Sequence, residues 1–142
     1  MQIEEGRTYG GQARELSVTR LLAFSGGALT NPGWPARNLH TDAGKAAEGG
    51  LPAPIASGVQ CESDIIRLLI ELFGEAWSAH GRMHVKYPRP VFAGTRVQGV
   101  ARVRARSVLA SGANIELDVW CETADKTVVI TGTASCVEAD AA

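Results

Sequence analysis

The chain has 142 residues, of which 45% are hydrophobic and 20% are charged, and its formal net charge is -1. This length predicts a single domain spanning residues 1–142. The balanced charge argues against nucleic acid or an anionic membrane surface as the main partner. Apolar runs stay shorter than a membrane-spanning helix, and the first residues lack the pattern of a signal peptide.

The three cysteines and three histidines show no metal-binding spacing. We therefore expect no metal site and no bound cofactor. Because the cysteines are odd in number and scattered, we expect reduced thiols in a cytoplasmic protein.

The first half of the chain predicts short elements around a long connection. Residues 1–16 favour one strand or an extended arm, and Ser17 has the position of an N-cap for a short helix ending near Phe24. Residues 26–56 are rich in Gly, Pro and Ala, with one or two helical turns expected over residues 41–48. A connection of this length in a compact domain is usually functional or disordered.

The strongest prediction is a helix that opens at Ser57 or Gly58 and ends at about Phe73. Its apolar residues cover well over half of the circumference, which is typical of a helix buried on most sides. The polar stripe is narrow and consists of Asp64, Arg67 and Glu71.

The remainder alternates as β-strands over residues 82–87, 95–107, 115–122 and 127–137, with turns at 111–114 and 124–126. Long strands joined by short turns predict an antiparallel meander. One long buried helix and such a sheet predict an α+β fold in which the sheet wraps around the central helix, the hotdog arrangement.

Several short motifs recur in an order known from one family. The chain resembles the MaoC-like acyl dehydratases, which include the (R)-specific enoyl-CoA hydratases, over most of residues 17–138. The matching pieces are Phe24-Ser25-Gly26, Asn31-Pro32, His40-Thr41-Asp42, Ala46-Ala47, Gly50-Leu51-Pro52, Ile55-Ala56-Ser57-Gly58, Val85 to Val91 and Gly94-Thr95-Arg96-Val97.

One departure from the family motif concerns its catalytic Asp, which lies five residues before the His. That position here is Pro35, and an insertion from Gly33 to Leu39 splits the motif. Because the chain has no Asp before Asp42, the usual Asp/His pair is incomplete.

The resemblance implies that water is added or removed across the α,β double bond of an acyl thioester. His40 is then the general acid/base, since histidine exchanges protons near neutral pH. The N–H of Gly58 is the oxyanion donor at the helix start, where the dipole favours negative charge. Ser57 and Ile55 are assigned to substrate binding, and CoA or a carrier protein delivers the thioester. A homodimer is expected.

For the other candidate residues of the connection, the sequence allows either a role in the site or a purely structural role. Asp42 orients His40 or, as we favour, caps the short helix after it. Asn38 and Asn31 hold water or the substrate carbonyl, or serve as turn residues. The remaining two are Trp34, which lines an acyl tunnel or pins the loop, and Arg37, which meets a substrate anion or is simply solvated.

The missing Asp leaves room for other functions on the same fold. One is a different lyase, isomerase or cyclase reaction, and another is a non-catalytic acyl-binding subunit. A hotdog thioesterase is less favoured, and Asp64 is the carboxylate to check for it.

Overall fold

The computed structural model describes residues 3–139. Within this range the helices are α1 (Val18–Ser25), α2 (Ala43–Glu48), α3 (Gly58–Phe73) and α4 (Glu75–His80). The strands are β1 (Thr8–Gly10), β2 (Arg14–Glu15), β3 (Arg82–Lys86), β4 (Arg96–Leu109), β5 (Gly112–Thr123) and β6 (Val128–Ala139).

The strands form one antiparallel sheet in the order β1-β4-β5-β6-β3, and β2 pairs with the start of β4. Strands β4, β5 and β6 are the predicted meander, because each pairs with the next along the chain. The sheet curls around α3, which packs on all three of these strands. The α+β hotdog architecture expected from the sequence is confirmed.

Helix α3 is buried on the face that packs on the concave side of the sheet, whereas Val59 and Ile70 are exposed, so the prediction of burial on most sides is wrong for these two residues. Ile65 and Leu69 are fully buried, and such side chains each contribute roughly 2 kcal/mol through removal from water. Strand β4 approaches the helix most closely at Gly99, where a Cβ would lie 2.5 Å from the carbonyl oxygen of Asp64. At 16 residues α3 is the longest helix described, and none among residues 3–139 is long and apolar enough to cross a membrane.

Three parts of the fold differ from the sequence predictions. The region expected to hold one strand or an extended arm contains two short strands, β1 and β2. Helix α4 was not predicted; it follows Gly74, whose φ of 57° turns the chain, and at 6 residues it is too short to show a period. The turn predicted over residues 111–114 is wrong in its extent, because Gly112 to Asn114 already pair with β4 and β6. Burial of Ala113 outweighs the weak strand preference of these residues.

Candidate functional site

The connection between α1 and α3 is ordered by a few side chain–backbone hydrogen bonds centred on Asn38. Its Nδ2 donates to the carbonyl oxygen of Ser25 at 2.9 Å, and its Oδ1 accepts from the backbone N–H of His40 at 2.9 Å. The hydroxyl of Thr41 donates to the carbonyl of Ala36 at 2.6 Å. Asn38 thus ties the backbone of His40 to the end of α1.

The imidazole of His40 is held by the segment that leads into α3. Its Nδ1 lies 2.8 Å from the carbonyl oxygen of Ile55, and the N–H of Ile55 donates to Leu39 at 3.3 Å. Because a carbonyl oxygen only accepts, Nδ1 carries the proton and Nε2 keeps a lone pair in the neutral ring. This tautomer presents Nε2 as a base.

The same segment is fixed from its other side by the residues that precede β4. Ala56 donates to the carbonyl of Val91 at 2.7 Å, and Ile55 forms an isolated antiparallel bridge with Phe92. Gly58 follows Ile55 by three positions, a span of at most about 11 Å. The structure therefore brings His40 close to the start of α3, although they are distant in sequence.

The N-terminus of α3 offers unpaired N–H groups. Ser57 is the N-cap residue, with φ -60° and ψ 139°, and its side chain makes no capping hydrogen bond. Within residues 3–139 the backbone N–H groups of Gly58 and Val59, the first two residues of α3, make no hydrogen bond. Such groups, together with the helix dipole, stabilise an oxygen that carries negative charge.

A cavity of about 450 Å³ opens beside this helix start. Its inner wall is apolar and its rim carries Ser57, Tyr87 and Arg89. His40 does not line the cavity, but its hydrogen-bond partner Ile55 does. The buried apolar wall residues are Ala56, Cys61, Val91, Val129 and Ile130.

Tyr87 covers the first residue of α3. Its ring carbon Cε1 lies 2.8 Å from where a Cβ of Gly58 would be, and its hydroxyl donates to the carboxylate of Glu62. This hydrogen bond, with a smaller contribution from burial, raises the pKa of Tyr87 to about 12. Sequence reasoning missed Tyr87 and Glu62, since 25 residues separate them and no motif includes both.

Asp42 and Arg37 bind each other. The Nε of Arg37 lies 3.0 Å from Asp42 Oδ2, and Asp42 Oδ1 accepts from the backbone N–H of Lys45 as the N-cap of α2. The Arg37 hydrogen bond and the Lys45 N–H lower the pKa of the Asp42 carboxyl. The predicted capping interaction is present, and among the described residues Asp42 makes no hydrogen bond to His40.

Asn31 and Trp34 lie on the outer part of the connection. Asn31 Oδ1 accepts from the N–H of Gly33 at 3.0 Å, an Asx-type turn. The indole of Trp34 packs on Gly26, where a Cβ would come within 2.8 Å of Nε1. Neither residue lines the cavity beside α3.

One carboxylate and two thiols are buried away from any reactive role: Asp64 is in an ion pair, and Cys61 and Cys121 are protonated. Asp64 is 2% exposed and pairs with Arg14 at 2.9 Å, away from the cavity wall. Burial raises the pKa of Cys61 to about 11 and of Cys121 to about 12. These thiols stay protonated at neutral pH and are poor nucleophiles.

The sheet wrapped around α3 makes this molecule a hotdog-fold protein. Its candidate ligand site consists of the free N–H groups at the start of α3, the histidine bound to the preceding segment and the adjacent apolar cavity. The MaoC like domain model matches residues 36–124, and the chain therefore belongs to this family. No significant match is found among curated proteins.

Solved structures agree on the fold. A monoamine oxidase regulatory protein from Archaeoglobus fulgius superposes with a TM-score of 0.76 at 20% identity, covering 99% of this chain and 93% of that one. An (R)-hydratase from A. caviae involved in PHA biosynthesis gives 0.74 at 22% identity, with 96% and 97% covered. A MaoC-like dehydratase from Rhodospirillum rubrum gives 0.77 at 17% identity, with 99% and 95% covered.

Proposed function

We propose that this protein is a hydratase or dehydratase that adds or removes water across the α,β double bond of an acyl thioester. The observation that carries the proposal is His40, whose Nδ1 is committed to Ile55 and whose Nε2 is left as a base near the start of α3. Membership of the MaoC-like domain family supports the reaction class.

In the proposed hydration, His40 Nε2 removes a proton from water while the water oxygen bonds to the β-carbon of the substrate. The electrons of the double bond move toward the thioester carbonyl, and its oxygen, now enolate-like, accepts from the N–H of Gly58. The imidazolium then returns the proton to the α-carbon. Aligned N–H donors at such an oxygen typically contribute ~3 kcal/mol to lowering the barrier.

With Pro35 at the position of the family Asp, Asn38 is the residue best placed to support the base. Both ends of its amide are used to hold His40 on α1, so it acts as a positioning residue. The Asp42 carboxylate is taken by Arg37 and by helix α2. A role for Asn31, Trp34 and Arg37 in substrate binding stays a prediction.

The substrate is proposed to be an acyl chain carried as a thioester by CoA or a carrier protein, with no further cofactor. The apolar wall of the cavity suits the chain, and its polar rim suits the thioester and the carrier arm. Ser57 and Ile55 contribute to binding as parts of that wall and rim.

We also propose a homodimer, on the basis of two surfaces that have no partner. The outer edge of β3 is unpaired among the described strands, since β3 pairs only with β6. On α3, Val59 and Ile70 lie on one exposed stripe and are 61% and 46% accessible. In the proposed dimer, a second copy covers the edge of β3 and the exposed stripe of α3.

The dimer is tested by light scattering of Ile70→Lys. This variant should be a monomer, and a dimeric Ile70→Lys would contradict the interface.

The test of the reaction is conversion of crotonyl-CoA to 3-hydroxybutyryl-CoA by the purified protein, followed through the loss of the conjugated double bond. Turnover that requires His40 supports the proposal. Turnover unaffected by His40→Ala would reject His40 as the base.

The absence of a carboxylate beside His40 favours a second candidate, an acyl-binding subunit without catalytic activity. Among residues 3–139 the His40 ring makes a hydrogen bond to a carbonyl oxygen and none to a carboxylate. A protein that binds acyl-CoA tightly, yet leaves crotonyl-CoA unchanged, would be explained by this alternative.

A further inference from the structure

The aromatic ring of Tyr87 lies directly against the residue that would hold the substrate oxygen. Two of its ring carbons come within 3.0 Å of the Cβ position of Gly58, and a third comes within 3.2 Å. Contacts this short leave space for a hydrogen atom and for nothing larger. With the ring in this position, a side chain at residue 58 would collide with it, although the φ of Gly58 is not in the left-handed region.

The position of this ring is set by Glu62 on the next turn of α3. The Tyr87 hydroxyl donates to the Glu62 carboxylate, which is the only side-chain hydrogen bond of this tyrosine among the described residues. Tyr87 is about half exposed, so packing alone does not lock its rotamer. Pro88 follows it and limits the backbone, and the hydrogen bond to Glu62 holds the hydroxyl end of the ring.

We infer that Tyr87, held in place by Glu62, is a specificity-determining residue that limits the size of the group next to the thioester carbonyl. This inference rests on the proposed function. If the carbonyl oxygen accepts from the N–H of Gly58, the groups bonded to the carbonyl carbon lie in the part of the cavity that Gly58 and Tyr87 line together. One of them is the sulfur, which is the same in every thioester. Selection therefore falls on the substituents of the α-carbon.

The expected substrates are linear at the α-carbon, because an α-methyl group would meet the ring. Two saturated thioesters that cannot react provide the probes: butyryl-CoA is linear, and isobutyryl-CoA carries the α-methyl branch. Isothermal titration of each gives a ratio of dissociation constants that does not depend on catalysis. In the wild type we expect butyryl-CoA to bind at least tenfold more tightly.

Three variants separate the ring from the hydrogen bond. Tyr87→Ala removes the ring and should bring the ratio of the two dissociation constants close to one. Tyr87→Phe and Glu62→Ala each remove only the hydrogen bond. Each should lower the preference for butyryl-CoA over isobutyryl-CoA by about the same factor, roughly threefold. Because both variants lose the same hydrogen bond, the double variant should lower this preference no further. Tyr9→Phe, at the only other tyrosine, should match the wild type.

The outcomes distinguish this inference from the proposed reaction. Tight binding of both thioesters with an unchanged ratio in Tyr87→Ala would overturn the role of Tyr87 and leave the reaction standing. Failure of the wild type to bind either thioester would overturn the inference, whereas the proposed reaction is judged separately by the turnover of crotonyl-CoA.

The geometry has its own test, which needs no ligand. Gly58→Ala should lower the melting temperature in the wild-type background and have little effect in Tyr87→Ala, since the clash is then gone. Equal losses in the two backgrounds would refute the contact that the inference requires.

Discussion

Helix α3 and the connection that precedes it are stabilised in different ways. The helix is held by many apolar contacts, with Ile65 and Leu69 fully buried against the sheet. The connection is held by hydrogen bonds, both within its backbone and from the side chains of Asn38, Thr41 and His40. Apolar burial in the core is distributed over many residues, whereas the position of the His40 ring depends on a few hydrogen bonds.

This difference predicts how the two regions respond to mutation. Changes on α3 and its strands should alter the free energy of unfolding. Changes in the connection should alter the position of one imidazole and leave the fold in place. The following four variants test this separation, beginning with the largest expected effect.

His40→Ala should lower kcat for crotonyl-CoA by about a thousandfold, since the general acid/base is lost. The free energy of unfolding should fall by only ~1 kcal/mol, because one hydrogen bond to Ile55 is removed. Initial rates and urea unfolding measure the two effects. His80→Ala, at the exposed end of α4, serves as the control. A variant that loses activity by unfolding would break the proposed separation.

Gly99→Ala should destabilise the protein by roughly 3 kcal/mol, because the new methyl group meets the Asp64 carbonyl oxygen at 2.5 Å. Urea unfolding measures the loss. The matched control is Gly33→Ala in the connection, where the nearest atom would be 3.6 Å away and we expect a change within ~0.5 kcal/mol. Similar values for the two alanine variants would show that β4 does not pack on α3 as described.

Asn38→Ala should reduce kcat about tenfold while KM stays near the wild-type value, since the base is misplaced and the binding wall is intact. Two hydrogen bonds are lost, so the free energy of unfolding should also fall by ~1–2 kcal/mol. Steady-state kinetics separates the two constants. Asn114→Ala on β5 is the comparison, and a rise in KM alone in Asn38→Ala would point to substrate binding instead of positioning.

Asp42→Asn should have the smallest effect, confined to acidic pH. The Arg37 hydrogen bond holds the pKa of Asp42 below its usual value, so the pair stabilises the fold above about pH 4 and is lost as pH falls through the lowered pKa. Asparagine still caps α2. The melting temperature of the wild type should therefore exceed that of the variant at about pH 7 by more than at about pH 3. A constant difference would show that the ion pair does not contribute.

The sequence predicted the regular elements well where the apolar pattern repeats over many residues. Helix α3 and the meander follow from residues repeated over several turns or pairs, and the observed bounds are close to the expected ones. Helix α4 was missed because six residues carry too little periodic information. The extent of β5 was missed because burial of Ala113, not its propensity, decides its pairing.

The site was predicted less completely, for a related reason. The order of short motifs named His40 and Gly58 together, but nothing in the spacing gives the bond from His40 to Ile55. No sequence pattern indicates that Tyr87 packs on Gly58, because Tyr87 and its partner Glu62 come from different parts of the chain. Contacts between side chains of distant segments depend on how the backbone is folded, which local patterns do not encode.

The sequence by itself determined the hotdog architecture, the family resemblance and the absence of an Asp before His40. Local propensity and apolar periodicity are properties of neighbouring residues, so a single chain displays them. Only the tertiary structure decided that Asp42 faces Arg37, that His40 presents Nε2 as its base, and that Tyr87 covers Gly58. Each of these depends on two or more segments meeting in space, and that meeting is set by burial of the core as a whole.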